Sequence, residues 1–376
     1  MKFVHLSDLH LGKSLNEHSF LEDQKYILNE IVDKIKDISP DFVIIAGDIY
    51  DRPIPSEGAV ELLDDFLTEL ARLDMKVYMI AGNHDSAERL SFASELIEKS
   101  GIYISKEYDG KLKKFTLYDE YGPLNIFLLP FIKPLTVRKY HPENNISSYT
   151  DAVSAALSTC DINTEERNIV AAHQFITGAE RSDSEDLIVG TIDNIDASLF
   201  RDFDYTALGH IHKPQNITEK IRYCGTPIKY SFSEAGNKNS ITVCEIKEKG
   251  SLEITEIPLV PLRDMHEIEG KFQDIISSNH DKRFRDSYIK VILTDDESIY
   301  DDLPKLREIY PNILFRSYNN TRSSKDNIIK AEQIREDTDI IETFGKFFEL
   351  QNNQKLNDEQ IEYLGTVLKR MENEEE

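Results

Sequence analysis

Five short stretches carry side chains that could do metal chemistry: SDLH (7–10), AGDIYD (46–51), AGNHD (81–85), AAHQ (171–174) and LGHIH (208–212). They hold His10, His84, His173, His210 and His212, half of the 10 histidines in the chain. Aspartate, asparagine and imidazole without cysteine form a donor set suited to manganese, iron or zinc. The set offers too many donors for one ion and suits two. Two ions about 3.5–4 Å apart can clamp the attacking and leaving oxygens of a phosphoryl transfer and bring the pKa of water toward ~7. Each stretch alone has an ordinary reading. Asp8 with His10 is also a solvated turn, Gly47-Asp48 a common turn, and His173 a lone histidine at a strand end. Gly82-Asn83-His84-Asp85 has no packing purpose directly after an apolar run, and the five together argue for a site.

These stretches need elements to hold them. KFVHLS (2–7), DFVIIAG (41–47) and KVYMIAG (76–82) read as strands, the second rich in β-branched residues as in a strand buried on both faces. Between them the 3–4 spacing of Ile27, Leu28, Ile31 and Ile35 predicts a helix over about 17–38, ended by Pro40. A second helix runs from Ser56 to about 73 on Leu62, Leu63, Phe66, Leu67 and Leu70, and a third over about 86–99. Three β-then-α units predict a parallel sheet, whose ligands collect beyond the carboxyl ends of its strands. Shorter strands follow at 112–118, 124–129, 168–173, 204–209, 220–224, 240–247 and 252–257, with a helix at 150–160 capped by Thr150. They read as a second, mostly antiparallel sheet packed on the first. VPLRD (260–264) marks a boundary. Beyond it lie a small α/β unit over 265–320 and two helical pieces over 331–372.

The length of 376 residues suggests two or three domains. No apolar run reaches the ~18 residues of a membrane span, and the acidic residue at position 8 argues against a signal peptide. Cys160, Cys224 and Cys244 stand far apart and read as buried thiols of a reducing cytosol. The net charge of −25 disfavours broad coating of nucleic acid. Residues 326–376 contribute −8 of it, from 14 acidic and 6 basic side chains. Bound cations would supply positive charge where a phosphate docks, so a local site remains compatible with the balance.

The series D-x-H, G-D, G-N-H-D, H and G-H-x-H resembles the calcineurin-like metallophosphoesterase superfamily. HLSDLHLGK, AGDIYDR, AGNHDSAERL, AAHQFITGAERSDSE, FDYTALGHIHKPQ and CGTPIKYSFSE resemble its bacterial double-strand-break-repair nucleases, the SbcD branch, over about residues 1–260. The resemblance implies an α/β fold, a four-layer αββα sandwich with a small α/β capping domain and a C-terminal helical tail. Its divisions fall at 1–262 (nuclease), 263–325 (DNA cap) and 326–376 (helices that grip a coiled coil). It assigns one metal to Asp8, His10, Asp48 and His212 and the other to Asp48, Asn83, His173 and His210, with Asp48 bridging. Two Mn2+ are implied, with Mg2+, Fe2+ or Zn2+ as other occupants. His84 would protonate the leaving oxygen, as an imidazole of ordinary pKa ~6.5 can, with Asp85 orienting its ring. Asp51 departs from archaeal and eukaryotic relatives, which carry a histidine there. In an extended segment His210 and His212 would lie ~6.6 Å apart on one side, which suits one metal each.

The implied partners are an SbcC-type coiled-coil ATPase, double-stranded and hairpin DNA, and a second copy of the chain in a 2:2 heterotetramer. Leu62, Phe66 and Leu70, with Leu90, Ala93, Leu96 and Ile97, are compatible with dimerisation or with packing on the sheet. Ile340, Ile341, Phe344, Phe347, Phe348 and Leu350, and Ile361, Leu364, Val367 and Leu368, form apolar stripes fit for helix-in-groove binding. Lys133, Arg138, Lys139, Arg181 and Lys213 are candidates for DNA phosphates. The implied activity is an Mn-dependent DNA nuclease of the cytoplasm: a 3′–5′ exonuclease on double-strand ends and an endonuclease on hairpins, regulated by ATP. A phosphoesterase acting on small molecules or phosphoproteins, and a non-catalytic scaffold, are the alternatives with this fold.

Overall fold

Apolar runs too short for helices and flanked by glycine build two six-stranded sheets. The computed structural model describes residues 1–16, 18–180, 182, 194–277, 284–297, 299–319, 345, 356, 360–361 and 363–365. In the first sheet the strands run in the order Glu253–Pro258, Ser240–Glu245, Lys2–Leu6, Phe42–Ala46, Lys76–Ile80, Ile102–Ile104. The last four are parallel and the first two antiparallel. Phe42–Ala46 is buried at every position, as its β-branched run requires of a central strand covered on both faces. Helix Leu21–Ile38 buries Ile27, Leu28, Ile31, Val32 and Ile35, one stripe at helical spacing. Helix Glu57–Arg72 starts where the Ser56 hydroxyl accepts from the Ala59 N–H at 3.3 Å.

Leu62, Phe66 and Leu70 are buried within the chain, so that face packs on its own protein and offers nothing to a second copy. The expected helix over 86–99 is broken. It consists of Ala87–Leu90, Ser94–Ile97 and a 3-10 turn at Glu98–Ser100. Ala93 between them has φ of 58°, a left-handed conformation that no helix interior tolerates. The break leaves Phe92 and Leu96 exposed by 83% and 71%.

The second sheet is ordered Gln215–Asn216, Ile221–Tyr223, Tyr205–Gly209, Arg167–His173, Gly122–Leu129, Lys113–Asp119. Its four central strands are parallel and only the edge strands antiparallel, which corrects the mostly antiparallel expectation. Gly122–Leu129 and Arg167–His173 are separated by helix Tyr149–Ser158, a crossover long enough to return the chain in the same direction. That helix is capped by Ser148 rather than Thr150, through a capping box with Asp151.

The sheets pack face to face over Phe3, Phe42 and Tyr78 of the first and Ile126, Ile169 and Ala207 of the second. The far side of the second sheet buries Phe127, Val170 and Leu208 with Val153 and Ala156 of the crossover helix. The result is the expected helix–sheet–sheet–helix stack. Of the cysteines, Cys224 and Cys244 are buried, whereas Cys160 is only half-buried.

The chain divides into two compact units, Met1–Met265 and His266–Glu376. The second has a three-stranded sheet, Met265–Gly270, Tyr288–Leu293 and Ile313–Tyr318, with helices Phe272–Ile276 and Asp302–Ile309. Its core is Phe272, Ile275, Ile289, Val291, Leu306 and Tyr310. Among the apolar tail residues named above, Ile361 and Leu364 are described, Ile361 as exposed; the other eight lie outside the described residues. No described helix is long and apolar enough to cross a membrane.

Candidate metal centre

Five strand exits meet at one end of the sandwich. Asp8 and His10 follow Lys2–Leu6, Asp48 follows Phe42–Ala46, and Asn83 to Asp85 follow Lys76–Ile80. His173 ends its strand, and His210 and His212 follow Tyr205–Gly209, whose last residue is in register with His173. The turns are sharp. Asp8, His10, Asp48 and His210 have φ of 54°, 44°, 49° and 99°, in the region non-glycine residues seldom occupy. Such strain persists only where surroundings impose it. Here Asp8 N–H donates to the Gly47 carbonyl and His10 N–H to that of Asp48, each at 3.0 Å. Gly82 and Gly209 permit the close approach. A Cβ at Gly82 would lie 2.1 Å from Asp48 Oδ1, and one at Gly209 2.0 Å from the Ala46 carbonyl oxygen.

All seven expected donors are brought together. Asp8, His10 and His212 form one cluster, in which His10 Nε2 and His212 Nε2 face each other at 3.0 Å. Asp48, His173 and His210 form another, joined by Asn83, whose Oδ1 lies 3.0 Å from His173 Nε2 and 2.9 Å from His210 Nδ1. Asp48 Oδ2 stands between the clusters, 3.6 Å from His10 Nε2 and 3.2 Å from His173 Nε2. His210 and His212 therefore face different clusters. The reason differs from the extended-strand spacing: both lie beyond the strand, and the left-handed turn at His210 separates them.

The donor set fits cations. Carboxylates, an amide oxygen and imidazole nitrogens converge on residues that are all buried except half-buried Asn83, and charges so placed are paired or hold metals. The electrostatics agree. Burial raises the Asp8 carboxyl to about 6, helped by the Asp48 charge and opposed by His173. Burial would raise Asp48 too, but the imidazoles of His173, His10 and His84 hold it well below the usual carboxylate range. Burial pulls on His173 in the opposite sense, and Asp48 overcomes it, raising the imidazole to about 9. Burial holds His10 well below its ordinary value, hence neutral and able to ligate. A divalent cation displaces the protons that such groups otherwise share.

His84 is half-buried, its ring edge-on to His10 with centroids 4.9 Å apart. Its Nδ1 donates to the Asp51 carbonyl at 3.0 Å, and its N–H to Asp48 Oδ1 at 2.9 Å. Asp85 does other work than the ring orientation expected of it. Its carboxylate accepts from the N–H groups of Ile49, Tyr50 and Gly82 at 3.1, 2.8 and 2.8 Å, tying the Asn83 loop to the Asp48 loop. Burial raises its carboxyl to about 6, against the pull of those N–H groups. The Asp51 carboxylate pairs with Lys13 at 2.7 Å and lies 3.7 Å from His10 Nδ1.

Several supporting residues escape sequence reasoning. Glu234, 0% exposed, accepts from His212 Nδ1 at 2.8 Å. Gln24 Nε2 donates to the His10 carbonyl at 2.7 Å, and Tyr230 donates to that of Leu9. Phe131 stacks against the His210 ring, the planes 26° apart and the centroids 6.5 Å apart. Only Glu234 and Tyr230 have a signal, since both lie in CGTPIKYSFSE. Of the DNA candidates, Lys133, Arg138 and Lys139 are exposed, with Arg138 Nε donating to the Ile146 carbonyl at 2.6 Å. Lys213 is paired with Glu180, and Arg181 lies outside the described residues.

Residues 1–214 match the family model of the calcineurin-like phosphoesterases, and residues 261–352 that of the type 5 capsule protein repressor C-terminal domain. The chain is 36% identical over 370 residues to SbcD, the nuclease subunit of that name in SbcCD of Staphylococcus epidermidis (strain ATCC 12228 / FDA PCI 1200), covering 97% of this chain and 98% of that one. Among solved structures, a dimetal phosphatase from Danio rerio aligns with a TM-score of 0.39 at 11% identity, over 70% of this chain and 98% of that one. The phosphoesterase YfcE from E. coli aligns at 0.27 and 12%, over 69% and 100%. The metal-competent clusters at the strand exits and the match along nearly the whole chain agree: the protein belongs to the SbcD family of calcineurin-like phosphoesterases.

Proposed function

We propose that the chain is the nuclease subunit of an SbcCD-type complex and hydrolyses DNA phosphodiesters with two divalent ions, Mn2+ by its likeness to SbcD. One observation carries this reading: seven donors, all buried but Asn83, divide into two clusters that share Asp48, with His84 at their edge. Asp8, His10, Asp48 and His212 would hold one ion, and Asp48, Asn83, His173 and His210 the other. Bound there, the ions supply a water activated at neutral pH and neutralise charge on the phosphate.

The protein's own groups do the rest. His84 Nδ1–H is committed to the Asp51 carbonyl; as imidazolium the ring would give its second proton, on Nε2, to the departing sugar oxygen and be left as the neutral Nδ1–H tautomer. Asp85 fixes the loop that carries His84. Exposed Lys133 and Lys139 would meet backbone phosphates. His84→Ala is expected to lower turnover of hairpin and linear duplex DNA by about 10²–10⁴-fold. Mn2+ affinity, measured by calorimetry, should stay unchanged. Turnover of a phosphomonoester with none of DNA would overturn the nuclease reading.

The relative's name, which makes it a subunit of SbcCD, supports a coiled-coil ATPase as partner. In that assembly the chain acts as a 3′–5′ exonuclease on double-strand ends and an endonuclease on hairpins, gated by ATP, in the cytoplasm. Residues 263–325 cap the DNA and residues 326–376 bind the coiled coil. The exposed Phe92 and Leu96 support a homodimer, through a narrower patch than the buried Leu62–Phe66–Leu70 face.

A further inference from the structure

The two histidine-rich clusters are supported differently. On one side, His173 Nδ1 donates to a backbone carbonyl, that of Ala46, at 2.8 Å. On the other, His212 Nδ1 donates to a carboxylate oxygen, Glu234 Oε1, also at 2.8 Å. Both bonds fix a tautomer that leaves Nε2 for a ligand. Only the second sets a negative charge behind the imidazole, and a carboxylate partner makes it a stronger donor than a carbonyl does. Glu234 is 0% exposed, so water does not screen it.

The carboxylate is itself held. Glu234 Oε2 accepts from the Tyr230 N–H at 2.9 Å, and the Ser182 hydroxyl donates to Oε1 at 3.4 Å. Glu234 lies in the 3-10 turn Phe232–Glu234, begun by Ser231, whose hydroxyl accepts from the Ser233 N–H. The Tyr230 hydroxyl reaches the Leu9 carbonyl, beside His10. One short segment, 230–234, therefore braces both imidazoles that face each other in the first cluster.

The formal charges point the same way. The Asp8, His10, Asp48 and His212 set has two carboxylates, with that of Glu234 behind His212 and that of Asp51, paired with Lys13, beside His10. The Asp48, Asn83, His173 and His210 set has one. We propose that Glu234 is a positioning residue that makes the two ion sites unequal, selectively tightening the one that His212 serves. This rests on the two-ion reading above.

The test is titration of the full chain with Mn2+ by calorimetry, alongside electron paramagnetic resonance of the bound ions. The unaltered protein should bind two equivalents, one more tightly. Glu234→Ala should weaken one equivalent by about 10–100-fold and leave the other within about twofold. At the same Mn2+ the signal of a coupled pair should give way to that of a single ion. Glu234→Gln keeps an acceptor without the charge and should fall between. In a His212→Ala background, Glu234→Ala should change nothing further, because the effect passes through that ring. Tyr230→Phe, which loses the bonds to Leu9 and Gln24 but keeps the backbone bond to Glu234, separates the brace on His10 from the charge behind His212 and should weaken that equivalent less than Glu234→Ala does.

Equal weakening of both equivalents, no weakening of either, or an effect that adds to that of His212→Ala would overturn the inference. A selective loss in Tyr230→Phe as large as that in Glu234→Ala would overturn it too, by showing that the segment braces the loop and the charge is immaterial. If circular dichroism shows Glu234→Ala unfolded, Glu234→Gln is judged by the same criteria. Fewer than two equivalents in the unaltered protein would overturn the two-ion reading itself.

Discussion

His210 and His212 are one residue apart and face opposite clusters. His210→Ala and His212→Ala should therefore each lose a different Mn2+, read as one remaining equivalent with unlike affinity in the two variants. Equal loss of both ions from each would count against the division. These histidines are legible in the sequence because two imidazoles after a glycine at a strand end are rare, and repetition at five exits makes coincidence a poor account. Glu234 is not. It stands 22 residues beyond His212, a separation with no local pattern, and its role comes from a turn that folds back beneath the ring. Asp85 misleads for a related reason: adjacency to His84 suggests a partner, whereas its carboxylate bonds across to the neighbouring loop.

The strands and helices around the site follow from periodicity, since Ile27, Leu28, Ile31 and Ile35 have one reading. Strand direction in the second sheet does not. A short apolar run reads the same either way, and what decides is the path between runs, here the crossover helix Tyr149–Ser158. The break at Ala93 is equally hidden, for SFASEL has neither glycine nor proline. Gly82 is the element-scale feature most open to test. Gly82→Ala would drive a methyl into Asp48 and the backbone that carries it. Both Mn2+ equivalents should weaken together, in contrast to the single-ion losses of the histidine variants. Thermal stability should fall by an amount typical of overpacking, about 1–3 kcal/mol.

At the scale of the molecule, one ion-pair network joins distant parts of the first unit. Asp119 accepts from the Arg167 guanidinium and from the Met1 ammonium, the latter at 3.0 Å, and Arg167 also reaches the Lys247 carbonyl at 2.9 Å. The Arg167 hydrogen bond, against the effect of burial, holds the Asp119 carboxyl well below the usual range. A depressed folded-state pKa contributes stability that is present above the unfolded value, near ~4, and lost as pH falls through the folded one. Acid unfolding followed by circular dichroism should therefore soften in Asp119→Asn. Asp119→Ala should cost about 3 kcal/mol at neutral pH, because it strands a guanidinium that is 2% exposed.

The donors span residues 8 to 212 and come from the exits of both sheets. No ion can be grasped until the two sheets have docked, which places capture late on the folding path. Mn2+ should then act as a brake on escape rather than a guide to assembly. At ~100 times its Kd a single ion adds about 2.7 kcal/mol. Nearly all of that should appear as unfolding roughly 100-fold slower, with the refolding rate unchanged. Stopped-flow denaturant jumps with and without Mn2+ would show this, and an accelerated refolding limb would mean that the clusters form before the sheets meet.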